Sequence, residues 1–170
     1  YMSRERDREG SHLYDVVNQG ETGQEYMSRY LFVNENADHW VPIQLKGVDS
    51  TVYVYELQRN LAWTALQLGR EAEAQAWRGE AERTKRAVLE KMWDGEKEFF
   101  FDVNPRGWGR SHVKAAVCFY PFMTDIAGRE HLGVVTRHLL NPGEFWTPYP
   151  VPSTSMDDDY FSAYGEWRGR

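Results

Sequence analysis

The sequence predicts an all-α fold in which helical hairpins form part of a toroid. Apolar residues recur at helical spacing over 54–68 and again over 74–92, and the two helices are joined by a very short link at Gly69-Arg70. A second, shorter pair of helical patterns follows at 113–126 and 129–140. No fixed-period repeat links the pairs, which favours a closed ring of hairpins over an open solenoid. A ring of six hairpins needs on the order of 300 residues or more, so these 170 residues are expected to supply part of one domain, incomplete at both ends.

Taken in order, residues 1–24 are polar and without sustained periodicity, apart from Leu13, Val16 and Val17, and read as an incoming loop with one short turn of helix. A helix is expected over 25–34, with Tyr26, Tyr30 and Val33 on one stripe, followed by a loop over 34–42. Asp49-Ser50-Thr51 offers N-capping oxygens for the next helix, whose stripe is Val54, Leu57, Leu61, Ala65 and Leu68 and whose stop is Gly69. Ala74, Trp77, Ala81, Val88 and Met92 line its antiparallel partner, opposite a face of Glu, Arg and Lys. A turn at 94–98, an extended run at 99–102 and a turn at 104–109 lead to the second helix pair, where Pro121 is able to kink 113–126. Residues 141–170 are rich in Pro, Tyr, Trp and Asp and show no pattern of helix length.

The totals exclude several classes. A net charge of −6 and a pI near 5.4 argue against nucleic acid, because the Lys and Arg of 79–91 alternate with Glu instead of clustering. No run approaches 18 apolar residues, so no membrane partner is expected, and the polar start Tyr1-Met2-Ser3-Arg4 fits a mature, processed or partial chain. The one cysteine, Cys118, lies in an apolar setting and reads as a buried, inert thiol. The five histidines show no metal spacing, and P-loop, GxSxG and GxGxxG motifs are missing; no cofactor is expected and no metal ligand is assigned. Asp157-Asp158-Asp159 offers hard oxygens of the kind calcium takes, but in no loop spacing that binds it, and a solvated acidic turn is the simpler reading.

Two stretches carry chemistry. Glu21-Thr22-Gly23-Gln24-Glu25-Tyr26-Met27-Ser28-Arg29-Tyr30 gathers two carboxylates, a guanidinium and two phenols. On a helix Glu21, Glu25 and Arg29 share one face and Arg29 pairs with Glu25; a salt-bridged surface helix fits the spacing equally well. The 15% aromatic content, in a chain of mean hydropathy −0.70, exceeds what a core alone calls for. Glu144-Phe145-Trp146-Thr147-Pro148-Tyr149-Pro150-Val151 reads as a stiff aromatic platform on which a sugar ring can stack.

In this order the motifs resemble those of the (α/α)6-barrel glycosidases: trehalase, the processing α-glucosidases of glycoside hydrolase family 63, and mannosylglycerate-hydrolase-like bacterial enzymes. Residues 21–29 resemble the family block E-S-G-x-D-x-S-x-R, and Gly47-Val48-Asp49-Ser50 resembles P-V-D-L-N. The segment 145–153 resembles the aromatic platform, and Tyr164-Gly165-Glu166-Trp167-Arg168-Gly169 resembles the stretch around Y-W-R-G. The resemblance covers roughly residues 15–170 and implies that they are part of a single catalytic domain.

It implies an inverting hydrolase acting on an α-linked terminal glucose or mannose. Glu25 falls on the general acid, Arg29 on a substrate-orienting arginine and Asp49 on a carboxylate of the sugar pocket. Glu21, Gln24, Tyr26, Trp146, Tyr149, Trp167 and Arg168 are the further residues expected to bind substrate. The acid must hold its proton near neutral pH, for which Glu21 is the expected neighbour. The family base lies well C-terminal to W-R-G and therefore outside these residues, about 6.5–9.5 Å from the acid in an inverting enzyme. Glu25 departs from the family aspartate by one methylene, and Arg170 stands where the family has Pro. An epimerase or lyase on the same toroid, or a non-catalytic carbohydrate-binding or scaffold protein, are the alternatives.

Overall fold

The computed structural model describes residues 2–169. Its organising element is an antiparallel hairpin of α1 (Val48–Gln67) and α2 (Glu71–Ala87). The joint follows from local chemistry. Gly69 takes a left-handed φ of +69°, its N–H donates to Leu66 O at 3.0 Å, and Arg70 N–H donates to Ala65 O at 2.9 Å. This pair of bonds satisfies the last carbonyls of α1 and turns the chain back within two residues.

The face that α1 buries matches the expected stripe only in part: Val54 and Ala65 are buried as expected. Val48, Val52, Tyr55, Ala62 and Ala65 face the core together with Thr51 and Gln58, whereas Leu57 and Leu68 are exposed. Small residues allow α1 and α2 to approach closely at Ala62, Ala65, Ala74 and Ala81, and the buried polar groups have partners waiting. Thr84 Oγ1 donates to Gln58 Oε1 at 2.9 Å, Gln58 Nε2 donates to the Tyr14 hydroxyl at 3.0 Å, and Tyr14 N–H donates to Thr51 Oγ1 at 3.1 Å. Satisfied polar groups can therefore be buried while leucines elsewhere on α1 stay wet.

Two small antiparallel ladders frame the hairpin. β1 (Asp15–Val16) pairs with β2 (Leu45–Lys46) in the register Asp15↔Lys46, and Lys46 is bridged onward to Val103. β3 (Trp93–Asp94) pairs with β4 (Phe99–Phe100) around a turn in which Asp94 Oδ1 accepts from the N–H groups of Glu96 and Lys97. The expected turn at 94–98 and the extended run after it are thus present. Phe99, Phe100, Phe101 and Phe145 are fully buried, and Phe99 stacks on Phe145 with centroids 6.1 Å apart. Each such ring stabilises the fold by roughly 2 kcal/mol. Cys118 lies in the same core, and burial pushes its thiol well up, as an inert cysteine requires.

Elsewhere the regular helices shrink. The expected helix at 25–34 is a single 3₁₀ turn, Ser28–Tyr30. Tyr26 takes φ +62°, and its N–H is donated to Gln19 Oε1 at 2.7 Å, away from any helical carbonyl. The third expected helix is a 3₁₀ segment, Ala116–Met123, containing Pro121. The fourth is a 3₁₀ turn, Arg129–His131, and a π-turn, Val135–Leu139. No helix of the described residues is long and apolar enough to cross a membrane.

Replacing Gly69 by Ala forces a Cβ into the left-handed region and should lower stability by ~1–2 kcal/mol. Urea unfolding is expected to show an earlier midpoint at unchanged slope.

Candidate active site

Arg29 is fully buried, and its guanidinium donates to two carboxylates. Nε and Nη2 donate to Asp102 at 2.7 Å each, and Nη1 and Nη2 donate to Asp49 at 2.9 Å each. Asp102 also accepts the Val48 N–H at 2.8 Å, so it caps α1 from 54 residues away. The expected cap at Asp49-Ser50-Thr51 is corrected by this geometry. Asp49 is held by Arg29, Thr51 Oγ1 accepts from Tyr14 N–H, and Ser50 Oγ donates to the carbonyls of Tyr14 and Gly47. Gly47 is required here because a Cβ would lie 2.6 Å from Asp49 Oδ1 and 3.0 Å from Arg29 Nη2.

Burial pushes the Asp102 carboxyl up while Arg29 pulls it down. Burial likewise weakens the hold of Arg29 on its proton, and Asp102 and Asp49 more than restore it, which keeps the guanidinium charged. The expected Glu25–Arg29 pair is therefore not formed. Arg29 is enclosed by Asp49 and Asp102, and all of its guanidinium nitrogens are engaged by these two carboxylates.

Above this network the chain brings Glu25 to the surface. Glu25 is half-buried and lines an open cleft of about 470 Å³ with Tyr164, Gly165, Glu166 and Trp167. Tyr26 and Arg168 line an adjoining cleft of about 330 Å³ with Asp38, Ser162 and Glu166. Arg168 Nε donates to the Tyr26 carbonyl at 2.8 Å and its Nη2 pairs with Asp38. Thr154 Oγ1 donates to Trp167 O at 3.4 Å and contacts Ser28 Oγ at 3.3 Å. These bonds lay 167–168 against 26–28. Tyr26 (φ +62°) and Trp167 (φ +51°) are both held in the left-handed region, at a cost on the order of 1–3 kcal/mol each.

The remaining expected residues lie elsewhere. Glu21 pairs with Arg6, accepts from Val17 N–H at 3.1 Å, and lines a separate cleft of about 450 Å³ with Thr22, Asp49 and Tyr53. It is not the neighbour of Glu25 that the spacing suggested; Glu166 shares that cleft instead. Gln24 has its Oε1 buried without a hydrogen-bond partner among the described residues. Trp146 and Tyr149 stand exposed on the loop over 144–152 and line none of these three clefts. The acidic run is engaged locally, with Asp157 on Lys114 and Asp158 accepting from Tyr160 N–H. Arg170 lies outside the described residues.

Sequence reasoning missed Asp102, Glu166, Tyr164 and Asp38. A single carboxylate inside Phe99-Phe100-Phe101-Asp102-Val103 was a readable signal, since a charge amid buried rings needs a buried partner. Glu166 stood within the motif stretch, but no spacing set it apart.

Over residues 2–170 the sequence matches the mannosylglycerate hydrolase MGH1-like glycoside hydrolase domain. The chain belongs to that family. It is 25% identical over 166 residues to a periplasmic trehalase from Xanthomonas axonopodis pv. citri (strain 306), covering 95% of this chain and 29% of the trehalase. Its fold superimposes on the GH63 mannosylglycerate hydrolase from Thermus thermophilus in complex with glucose with a TM-score of 0.80 and 18% identity, covering 99% of this chain and 48% of that one. Neutral trehalase from Saccharomyces cerevisiae superimposes with a TM-score of 0.66 at 17% identity, over 86% of this chain and 27% of that one. The chain spans about half the length of the bacterial hydrolase and under a third of either trehalase. The α1–α2 hairpin and its surroundings are accordingly part of an (α/α)6 toroid.

Replacing Arg29 by Met strands Asp49 and Asp102 in the interior. Loss of one partner from a buried network costs about 3–5 kcal/mol, so the variant should unfold at far lower urea or fail to accumulate folded. An Arg29→Met variant as stable as the parent would contradict this account of the network.

Proposed function

We propose that the protein carrying this chain is an inverting glycoside hydrolase that releases an α-linked terminal glucose or mannose, with Glu25 as general acid. The observation that carries the reading is the cleft in which the Glu25 carboxyl is flanked by Tyr164, Glu166 and Trp167, on a chain of a glycoside hydrolase family. A carboxylic acid beside aromatic faces is the arrangement that glycosidic cleavage calls for. The rings hold the apolar face of the sugar while the acid delivers its proton to the leaving oxygen.

In this reading Glu25 protonates the glycosidic oxygen as the bond to the anomeric carbon breaks. A base takes a proton from a water molecule that attacks the opposite face of the sugar. The family resemblance puts that base C-terminal to Trp167-Arg168-Gly169, outside this sequence. Trp167 and Tyr26 contact the sugar ring, Gln24 and Arg168 bind its hydroxyls, and Trp146 and Tyr149 provide an outer stacking surface. Glu21 and Asp49, in their separate cleft, bind a further part of the substrate. Arg29 serves by fixing the backbone that precedes and supports them.

Glu25→Gln in the full-length protein should lower kcat by about 10²- to 10⁴-fold on substrates with sugar or alkyl leaving groups. The loss should be far smaller on an α-glycosyl fluoride, whose leaving group needs no proton. Equal losses on both substrates, or no loss on either, would remove Glu25 from the acid role.

A further inference from the structure

The exposed aromatic loop is held at its neck by a buried ionic cluster that the reaction does not use. Trp146 and Tyr149 are 50% and 91% exposed, and rings this wet gain nothing from the core. The segments on either side of them are nevertheless tightly fastened. Met156 N–H donates to Glu144 O at 3.1 Å, closing the loop between 144 and 156, and Ser155 N–H donates to Lys114 O at 2.9 Å. Lys114 Nζ lies across this closure, 2.8 Å from Glu144 Oε2 and 2.6 Å from Asp157 Oδ2. One ammonium thus joins the residue that enters the loop to one just past its exit.

The Glu144 end is anchored further. Its Oε2 lies 2.7 Å from His138 Nδ1, while His138 Nε2 donates to Lys97 O at 2.7 Å. Asn141 Nδ2 donates to Glu144 Oε1 at 3.2 Å. At the other end Ser155 Oγ donates to Asp157 Oδ1 at 2.6 Å. Glu144 and His138 are 8% and 5% exposed, so their contacts with Lys114 and Lys97 O operate with little screening by solvent. The cluster ties the loop to the β3–β4 turn through Lys97 O and to the Val135–Leu139 turn through His138, whose ring packs on Phe99.

We infer that Lys114 is a positioning residue, a clamp that holds the Trp146–Tyr149 loop in place for contact with the sugar. The inference rests on the reading of that loop as a stacking surface, and acts through it. Lys114 touches no substrate. A loop without the clamp keeps its rings but samples many orientations, and ordering them falls on the binding step.

The test compares Lys114→Met, Asp157→Asn and Lys114→Arg in the full-length protein. Asp157 is largely at the surface, so its substitution reports on the clamp without threatening the fold. Amide hydrogen exchange should speed up about tenfold at Trp146, Ser155 and Met156, the hydrogen-bonded amides of the loop's neck, in Lys114→Met and Asp157→Asn, the equivalent of one lost charge-assisted contact. Exchange in α1 and α2 should not change. KM for an α-glucoside should rise severalfold with kcat held, and Lys114→Arg should restore both readouts. Unchanged exchange at Trp146, Ser155 and Met156, a rise spread through α1 and α2, or faster exchange at the neck with unaltered KM would each overturn the proposal. Trp146→Ala separates the two levels. If it leaves KM unchanged, the stacking reading fails and the clamp's role fails with it; if it raises KM while Lys114→Met does not, only the clamp fails.

Discussion

The buried guanidinium of Arg29 is the constraint on which the rest of this chain depends. It draws Asp49 from the first turn of α1 and Asp102 from the end of the aromatic run into one planar set of charge-assisted hydrogen bonds, 20 and 73 residues away in sequence. Because Asp102 also receives the Val48 N–H, the same carboxylate that neutralises the arginine starts the helix. Gly47 has no side chain at the point where the three meet. Helix α1, the ladder through Lys46 and Val103, and the turn Ser28–Tyr30 are thereby fixed relative to one another.

That fixed base has a consequence a few residues upstream. Tyr26 cannot continue a helix, because its amide is spent on Gln19 and its φ is left-handed. Glu25 is therefore carried at the end of a strained turn and faces solvent in the cleft. Arg168 fastens the opposite wall to the Tyr26 carbonyl, and Trp167 is strained in the same sense. A strained residue lines each of the two adjoining clefts, Trp167 the one that holds Glu25 and Tyr26 the other, the pattern expected of a preorganised site.

Much of the architecture was legible from residue order. The α1–α2 hairpin followed from apolar spacing and from Gly69, and the turn at 94–98 from its polar run. The family followed from four short motifs in sequence. What could not be read was set by partners far along the chain. Thr51 and Gln58 are buried on α1 because Tyr14 and Thr84 wait for them, and this rotates the core face away from Leu57 and Leu68. Glu21, Glu25 and Arg29 looked like one helical face, yet Arg6, open cleft and Asp49 with Asp102 take them in three directions. Local spacing describes what a helix would do; it says nothing of a carboxylate arriving from 73 residues away.

The central claim is that Glu25 serves an inverting cleavage. It is tested most directly by proton NMR of the first product formed by the full-length protein from an α-glucoside or α-mannoside, recorded before mutarotation. The account predicts that the β-anomer of the released sugar appears first and then relaxes toward equilibrium. Initial appearance of the α-anomer, or no hydrolysis of either substrate, would contradict it.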